Sequence, residues 1–289
     1  MALQPKDIAL KIKKLASLPD VCVKINELAD DPNSSLQDLT NVIGMDPAMA
    51  AKLLKIANSP FYGFANRIDD LNRAIMLIGT QGLRDLLWAT SSIESFSNLS
   101  NKFVSMETFW KHSLYTATVA RVLANKCHVL NKDRLFLSGL LHDLGHLALY
   151  QVMPDEMEVI FMRAKNENEN LCVAEKSILG FSHATVTYAI LKMWRLPDSI
   201  CKAVAYHHLP GRAEDHKLDA AIIHIADVIS HKAGWQGSAF EHHNHFDQDA
   251  WLITNLSSKI VDSVIQIAED QFAEAEEIYL APLKMAPAA

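Results

Sequence analysis

The 289-residue chain has only four cysteines, Cys22, Cys127, Cys172 and Cys201, and none forms a CxxC pair. That excludes a thiolate zinc knuckle or a dithiol redox centre, and a chain this long needs no disulfide staple, so a reducing, cytoplasmic setting is expected. No run of about 18 apolar residues exists, so no membrane span is expected, and the charged N-terminal stretch lacks a signal-peptide core. Basic residues are also short: Lys and Arg number 27 against 34 Asp and Glu, a net charge of −7. General nucleic-acid binding needs a concentrated basic surface and is not expected. There is no Gly-rich phosphate loop, no Ser-His-Asp or Cys-His arrangement for covalent catalysis, and no sustained period-2 alternation to support strands.

Histidine is plentiful. The chain has 13, most of them after residue 110. Apolar residues at 49% with 21% charged residues suit a globular core. Apolar spacing predicts helices at 5–16, 21–29, 36–43, 48–57, 68–78 and 83–92, with Asp46 capping and Pro47 at a first helical position. Phe61, Tyr62, Phe64 and Trp88 are expected in the core, Phe61 and Tyr62 alternatively forming an exposed interaction loop. A polar stretch at 93–105 is a linker. Helices follow at 107–127, through the apolar run 133–150, and at 157–165, 171–179, 184–194, 200–207 and 218–232, with Ser182 as a cap. Residues 251–279 read as one or two acidic amphipathic helices, and the Glu241-His242-His243-Asn244-His245 tract as a surface loop. The expected fold is all-α.

The chemistry concentrates in Leu135 to Tyr150, LFLSGLLHDLGHLALY. An imidazole and a carboxylate inside an apolar segment lose hydration, and a bound divalent metal would offset that loss. His112, His142-Asp143, His183, His207-His208 and Asp227 all fall in apolar helical surroundings. Imidazoles donate one nitrogen each, while an aspartate can span two metals. His207 and His208, read as adjacent helical residues, point about 100° apart, so one of them is expected to face the site. His224 shares the face of Asp227 and either supports it or lines the core. His146 is either a supporting group or solvent-facing. Arg121, Arg195 and Lys202 are the candidate phosphate cations.

The order His112, His142-Asp143, Asp227 resembles the H…HD…D signature of the HD superfamily of metal-dependent phosphohydrolases. The phrases SLPDVCVKINELADDPNSSLQDLTNVIGMDPAMAAKLLKIANSPFYG, FWKHS, SGLLHDLGHLAL, MWRLPDSICKAVAYHH and IIHIADVIS together resemble the HDOD domain, the HD-related output domain of bacterial signalling proteins. The resemblance implies a helical N-terminal lobe (1–105) packed on an HD-like helical bundle (106–235), followed here by a loop and extra C-terminal helices (236–289). It implies one or two divalent ions, iron or manganese, with His112, His142, Asp143 and Asp227 on the first and His183, His207 and His208 on the second. Asp143 would bridge and be the catalytic carboxylate. The implied role is a bacterial signalling module with a protein partner, the alternative being a hydrolase of a phosphorylated small molecule or nucleotide; a homodimer is a further option, through surfaces the sequence does not name. Two departures separate this chain from the cyclic-dinucleotide hydrolases of the superfamily: His146 stands where they carry Lys, and HHLPGRAEDH lacks their Gly-Tyr-Pro phrase.

Overall fold

A computed structural model of the chain describes residues 3–15, 20–59, 62–97, 99, 101–237 and 247–280. In chain order the helices are α1 (Pro5–Leu15), α2 (Asp20–Asp30), α3 (Leu36–Gly44), α4 (Pro47–Ala57) and α5 (Leu71–Phe96), then α6 (Met106–Lys126), α7 (Lys132–Leu141), α8 (Leu144–Val152), α9 (Pro154–Glu167) and α10 (Leu171–Leu179). They continue with α11 (His183–Met193), α12 (Asp198–Ala205), α13 (Lys217–Lys232), α14 (Gln248–Thr254) and α15 (Val261–Tyr279). No strand occurs among the described residues. The fold is all-α, and no helix among them is long and apolar enough to cross a membrane.

The chain forms two units, one of residues 1–16 and 98–269, the other of 17–97 and 270–289. The break after 97 falls inside the polar stretch 93–105. The other limits differ from the sequence-based partition, because α1 joins the unit of the histidine-rich helices, packing on α8 and α11. Its apolar stripe explains the attachment: Ile8 and Ile12 are buried while Leu10 is exposed.

In the unit containing α2 to α5, local signals set the ends. Asp46 accepts from the amides of Ala48 and Met49, with Pro47 behind it, and Ser35 and Asp38 form a capping box on α3. Gly79, at φ 80° and ψ 158°, breaks α5 where the pattern predicts two helices. Trp88 is core, whereas Tyr62 and Phe64 are half-exposed and stack on each other. Phe61, the Glu241-to-His245 tract and the last nine residues lie outside the described residues.

In the other unit α7 lies on α6 and α8 on α11 at glycine contacts. A Cβ on Gly139 would sit 2.8 Å from the Ala117 Cα, and one on Gly145 would sit 2.1 Å from the His183 carbonyl oxygen. Neither spacing admits a side chain, so both pairs are backbone-on-backbone. Gly145→Ala is expected to force α11 off α8 and destabilise by about 1–3 kcal/mol. A thermal melt checks this; an unchanged midpoint would show that the contact is not tight.

Candidate metal centre

The apolar run around His142 and Asp143 is not one helix. It breaks between α7 and α8, His142 being the C-cap of the first and Asp143, at φ −101° and ψ 9°, the N-cap of the second. The break turns both side chains inward. Thr187 on α11 fastens it, since its hydroxyl meets the His142 and His183 carbonyls, each at 3.1 Å, and accepts from the Gly145 amide at 2.8 Å. His112 enters from the middle of α6 and Asp227 from α13. His183 opens α11, and His207 and His208 lie in the turn beyond α12, not in the helix.

All seven predicted residues converge, in overlapping groups whose ligand atoms lie within 4.8 Å of one another. On one side, Asp143 Oδ2 is 3.2 Å from His142 Nε2 and 3.6 Å from His112 Nε2. Asp227 Oδ1 stands 3.6 Å from His142 Nε2 and 3.5 Å from His112 Nε2. On the other side, Asp143 Oδ1 faces His183 Nε2 at 3.4 Å and His207 Nε2 at 3.8 Å, and His208 Nε2 is 2.9 Å from His183 Nε2. Two donors on one ion at about 2.0–2.2 Å lie about 3–3.5 Å apart, so these spacings are close to those of coordination shells. Both residues of the double histidine reach the cluster, because the turn frees them from the 100° step of a helix.

The rings are held for donation. His112 Nδ1 donates to the Trp235 carbonyl (2.9 Å), His142 Nδ1 to Gly139 (2.8 Å) and His207 Nδ1 to Val204 (2.6 Å). His183 Nδ1 donates to the Glu175 carboxylate at 2.7 Å. A carbonyl can only accept, so in each neutral ring the proton sits on Nδ1 and the Nε2 lone pair faces the aspartates.

Burial lowers the proton affinity of His142, His146, His183 and His207, and neighbouring charges decide the outcome. Asp143 and Asp227 outweigh burial at His142 and hold it well above the ordinary histidine value; Glu175 and Asp143 do the same, to a lesser degree, for His183. His207 is held well below, and His146 at about 4, by burial and the charge of neighbouring imidazoles. Burial would raise Asp143, but the surrounding imidazoles keep it ionised, well below the usual carboxylate range.

His146 is 2% exposed, which rules out the solvent-facing alternative, and its ring stacks on His183 at 3.8 Å. His224 does not support Asp227 directly. It donates through Nδ1 to the His207 carbonyl at 2.8 Å and accepts from the Asp247 amide at 2.9 Å, so it holds the turn that carries the double histidine. Ser182 occupies the N-cap of α11 without capping it; Glu175 accepts from the His183 amide instead, at 2.8 Å. Of the candidate cations, Arg121 pairs with Asp133, Lys202 pairs with Glu214, and Arg195 is exposed in a left-handed turn. Sequence reasoning missed Glu175 and Thr187; His231, which helical spacing places on the face of Asp227, is 3.4 Å from Asp227 Oδ1. Glu175 shares the buried face of α10 with Leu171, Cys172 and Ala174, eight residues before His183.

Comparison with known proteins identifies the fold and the family. A 224-residue stretch is 25% identical to an uncharacterised protein of Treponema pallidum (strain Nichols), covering 76% of this chain and 43% of that one, so the chain spans under half of that relative's length. An HDOD domain protein of unknown function from Geobacter sulfurreducens matches with a TM-score of 0.71 at 23% identity, over 96% of this chain and 98% of that one. A candidate phosphohydrolase from Shewanella amazonensis SB2B matches with a TM-score of 0.70 at 19% identity, over 94% and 97% of the two chains. These likenesses establish a shared fold. Residues 15–210 match the HDOD domain, about two thirds of the chain and the stretch that carries six of the seven clustered donors, and the chain belongs to that family.

Proposed function

We propose that this chain is a bacterial regulatory HDOD module built around a divalent-metal centre. The observation that carries the reading is the set of four buried imidazoles, each fixed through Nδ1, whose Nε2 atoms surround the two oxygens of Asp143. His112, His142, Asp143 and Asp227 would hold one ion, and Asp143, His183, His207 and His208 a second. The donor chemistry fits. Nitrogen and carboxylate donors without thiolate suit iron, manganese or zinc. Asp143 meets only imidazoles as ion-pair partners among the described residues, so added positive charge relieves its burial.

A second reading, hydrolysis of a phosphoester, is favoured by the placement of Asp143 between two donor sets. Ions held there supply Lewis acidity toward a phosphoryl oxygen and acidify water. The protein's own part would be to keep the ions adjacent through Asp143, to hold His142 and His112 by their carbonyl partners, and to exclude bulk water from the apolar walls of α6, α7 and α13. Arg121 and Lys202 are engaged elsewhere, so the chain's contribution to phosphate binding would fall to the ions.

Elemental analysis of tag-free protein is the deciding experiment. About two equivalents of iron or manganese, lost in His142→Ala/Asp143→Ala with the circular dichroism spectrum retained, are expected. Full metal content in the double variant would overturn the assignment. The loaded protein, assayed on p-nitrophenyl phosphate and bis-p-nitrophenyl phosphate, separates the two readings: metal-dependent turnover abolished by the double variant makes it a hydrolase.

Proton linkage gives an independent check. His142 and His183 hold protons more tightly than free histidine, and an ion at Nε2 must displace them. Affinity for Mn²⁺ should therefore strengthen as pH rises through their elevated values and level off above them. Without the ion the sign reverses: the stabilisation from these protonated rings is full below the ordinary histidine value and fades as pH climbs through the raised one. Calorimetry in buffers of different ionisation heat should show net proton release on Mn²⁺ binding; none would mean that the ion binds elsewhere.

A further inference from the structure

Glu175 is fully buried on α10, and nothing in the expected ligand set accounts for it. One oxygen, Oε2, receives both the backbone amide of His183 at 2.8 Å and its Nδ1 at 2.7 Å. The other, Oε1, stands 3.4 Å from Nδ1 of His146. The two rings beside this carboxylate are stacked, with centroids 3.8 Å apart and planes 23° from parallel. Their far nitrogens point at one atom, Asp143 Oδ1, which is 3.4 Å from His183 Nε2 and 3.9 Å from His146 Nε2. A buried carboxylate spanning two parallel imidazoles favours a proton on the Nδ1 side of each and leaves both Nε2 lone pairs on the Asp143 side.

We propose that His146 is a further donor to the second metal position, and that Glu175 is the positioning residue that orients His146 and His183 together toward it. This rests on the metal-centre reading above. It gives the histidine at the fifth position of HDLGH a role in holding an ion. It also explains why a carboxylate is buried on α10, where a Leu or Ala would satisfy packing alone.

The roles can be separated through the atoms involved. In Glu175→Gln the amide oxygen must take the Oε2 place, because the His183 amide and Nδ1 both donate there. The amide nitrogen then faces His146 Nδ1 and donates to it, moving the ring proton to Nε2 and removing the lone pair aimed at Asp143. His183 stays oriented, so the substitution acts on His146 selectively while conserving shape.

The test is calorimetric titration of the chelator-stripped full-length protein with Mn²⁺, for the unmodified chain, Glu175→Gln, His146→Ala and the pair combined. Two sites are expected in the unmodified chain. The second should weaken about 10- to 100-fold in each single variant, with the first unchanged, and the double variant should be no worse than either single one. Long-range ¹H–¹⁵N spectra of ion-free Glu175→Gln, recorded where His183 is neutral, should place the His146 proton on Nε2 and keep the His183 proton on Nδ1, a difference that a merely structural role would not produce. Two undisturbed sites in His146→Ala would overturn the donor role. Equal loss of both sites in folded Glu175→Gln would overturn the positioning role. If the unmodified chain binds one ion only, this inference fails while the metal-centre reading stands; if it binds none, that reading fails first.

Discussion

The carboxylate of Asp143 is the constraint that the rest of the site serves. Its two oxygens face two different groups of imidazoles, and it stays ionised although nearly all of it is withdrawn from water. Such a group is tolerated only if its surroundings are arranged for it. Helix α7 must end one residue earlier so that the side chain can turn inward, and Thr187 must tie the broken backbone. Gly145 must lack a side chain so that α11 can bring His183 within reach. Enlarging any of these would move the imidazoles of one side relative to those of the other.

The orienting acceptors have a common origin. Gly139 and Val204 lie in the last turns of α7 and α12, where carbonyls have no intrahelical amide to receive. His142 and His207, just past those ends, fold their Nδ1 atoms back onto them at 2.8 and 2.6 Å. One bond thus engages a helix-terminal carbonyl and sets a ring tautomer; the Val204 carbonyl also receives the His207 amide, at 3.5 Å. Helix C-termini also carry the negative end of the backbone dipole, which favours positive charge nearby. His112 sits inside α6, where the carbonyls are already engaged, so its acceptor is imported from Trp235 beyond α13. His183, at a helix start, has amides rather than free carbonyls around it, and there the acceptor is the Glu175 side chain.

The same distinction explains what could be read from the sequence. Helix positions and several caps follow from local chemistry, and α1, α2, α3, α4, α6, α10 and α13 begin and end within about two residues of the apolar pattern. The interruption at His142-Asp143 left no local trace, because the flanking residues are apolar on both sides and no proline marks it. The turn at His207-His208 was hidden in the same way, so two residues placed on a helix occupy a turn that lets both face inward. The seven donors were legible as types, since a His or Asp in an apolar stretch is costly wherever it falls. Glu175 was not, because a single acidic residue in a short amphipathic helix reads as surface, and its burial comes from contacts made by α9 and α11.

Ion binding at such a site is also a statement about packing. α6, α7, α8, α11 and α13 each contribute a donor, and the turn after α12 contributes two more, so an ion crosslinks segments that otherwise touch through small side chains and apolar contacts. In the ion-free state Asp143, Asp227 and Glu175 raise the proton affinity of His142 and His183, and each proton taken up partly offsets those carboxylates. The ion exchanges dispersed, pH-sensitive charge for a fixed one at the centre. The free energy of that exchange appears as stability that depends on ion concentration. In the proposed regulatory role this arrangement would serve without any turnover: the stability of one helical unit would report the availability of an ion, with Asp143 linking the two groups of donors.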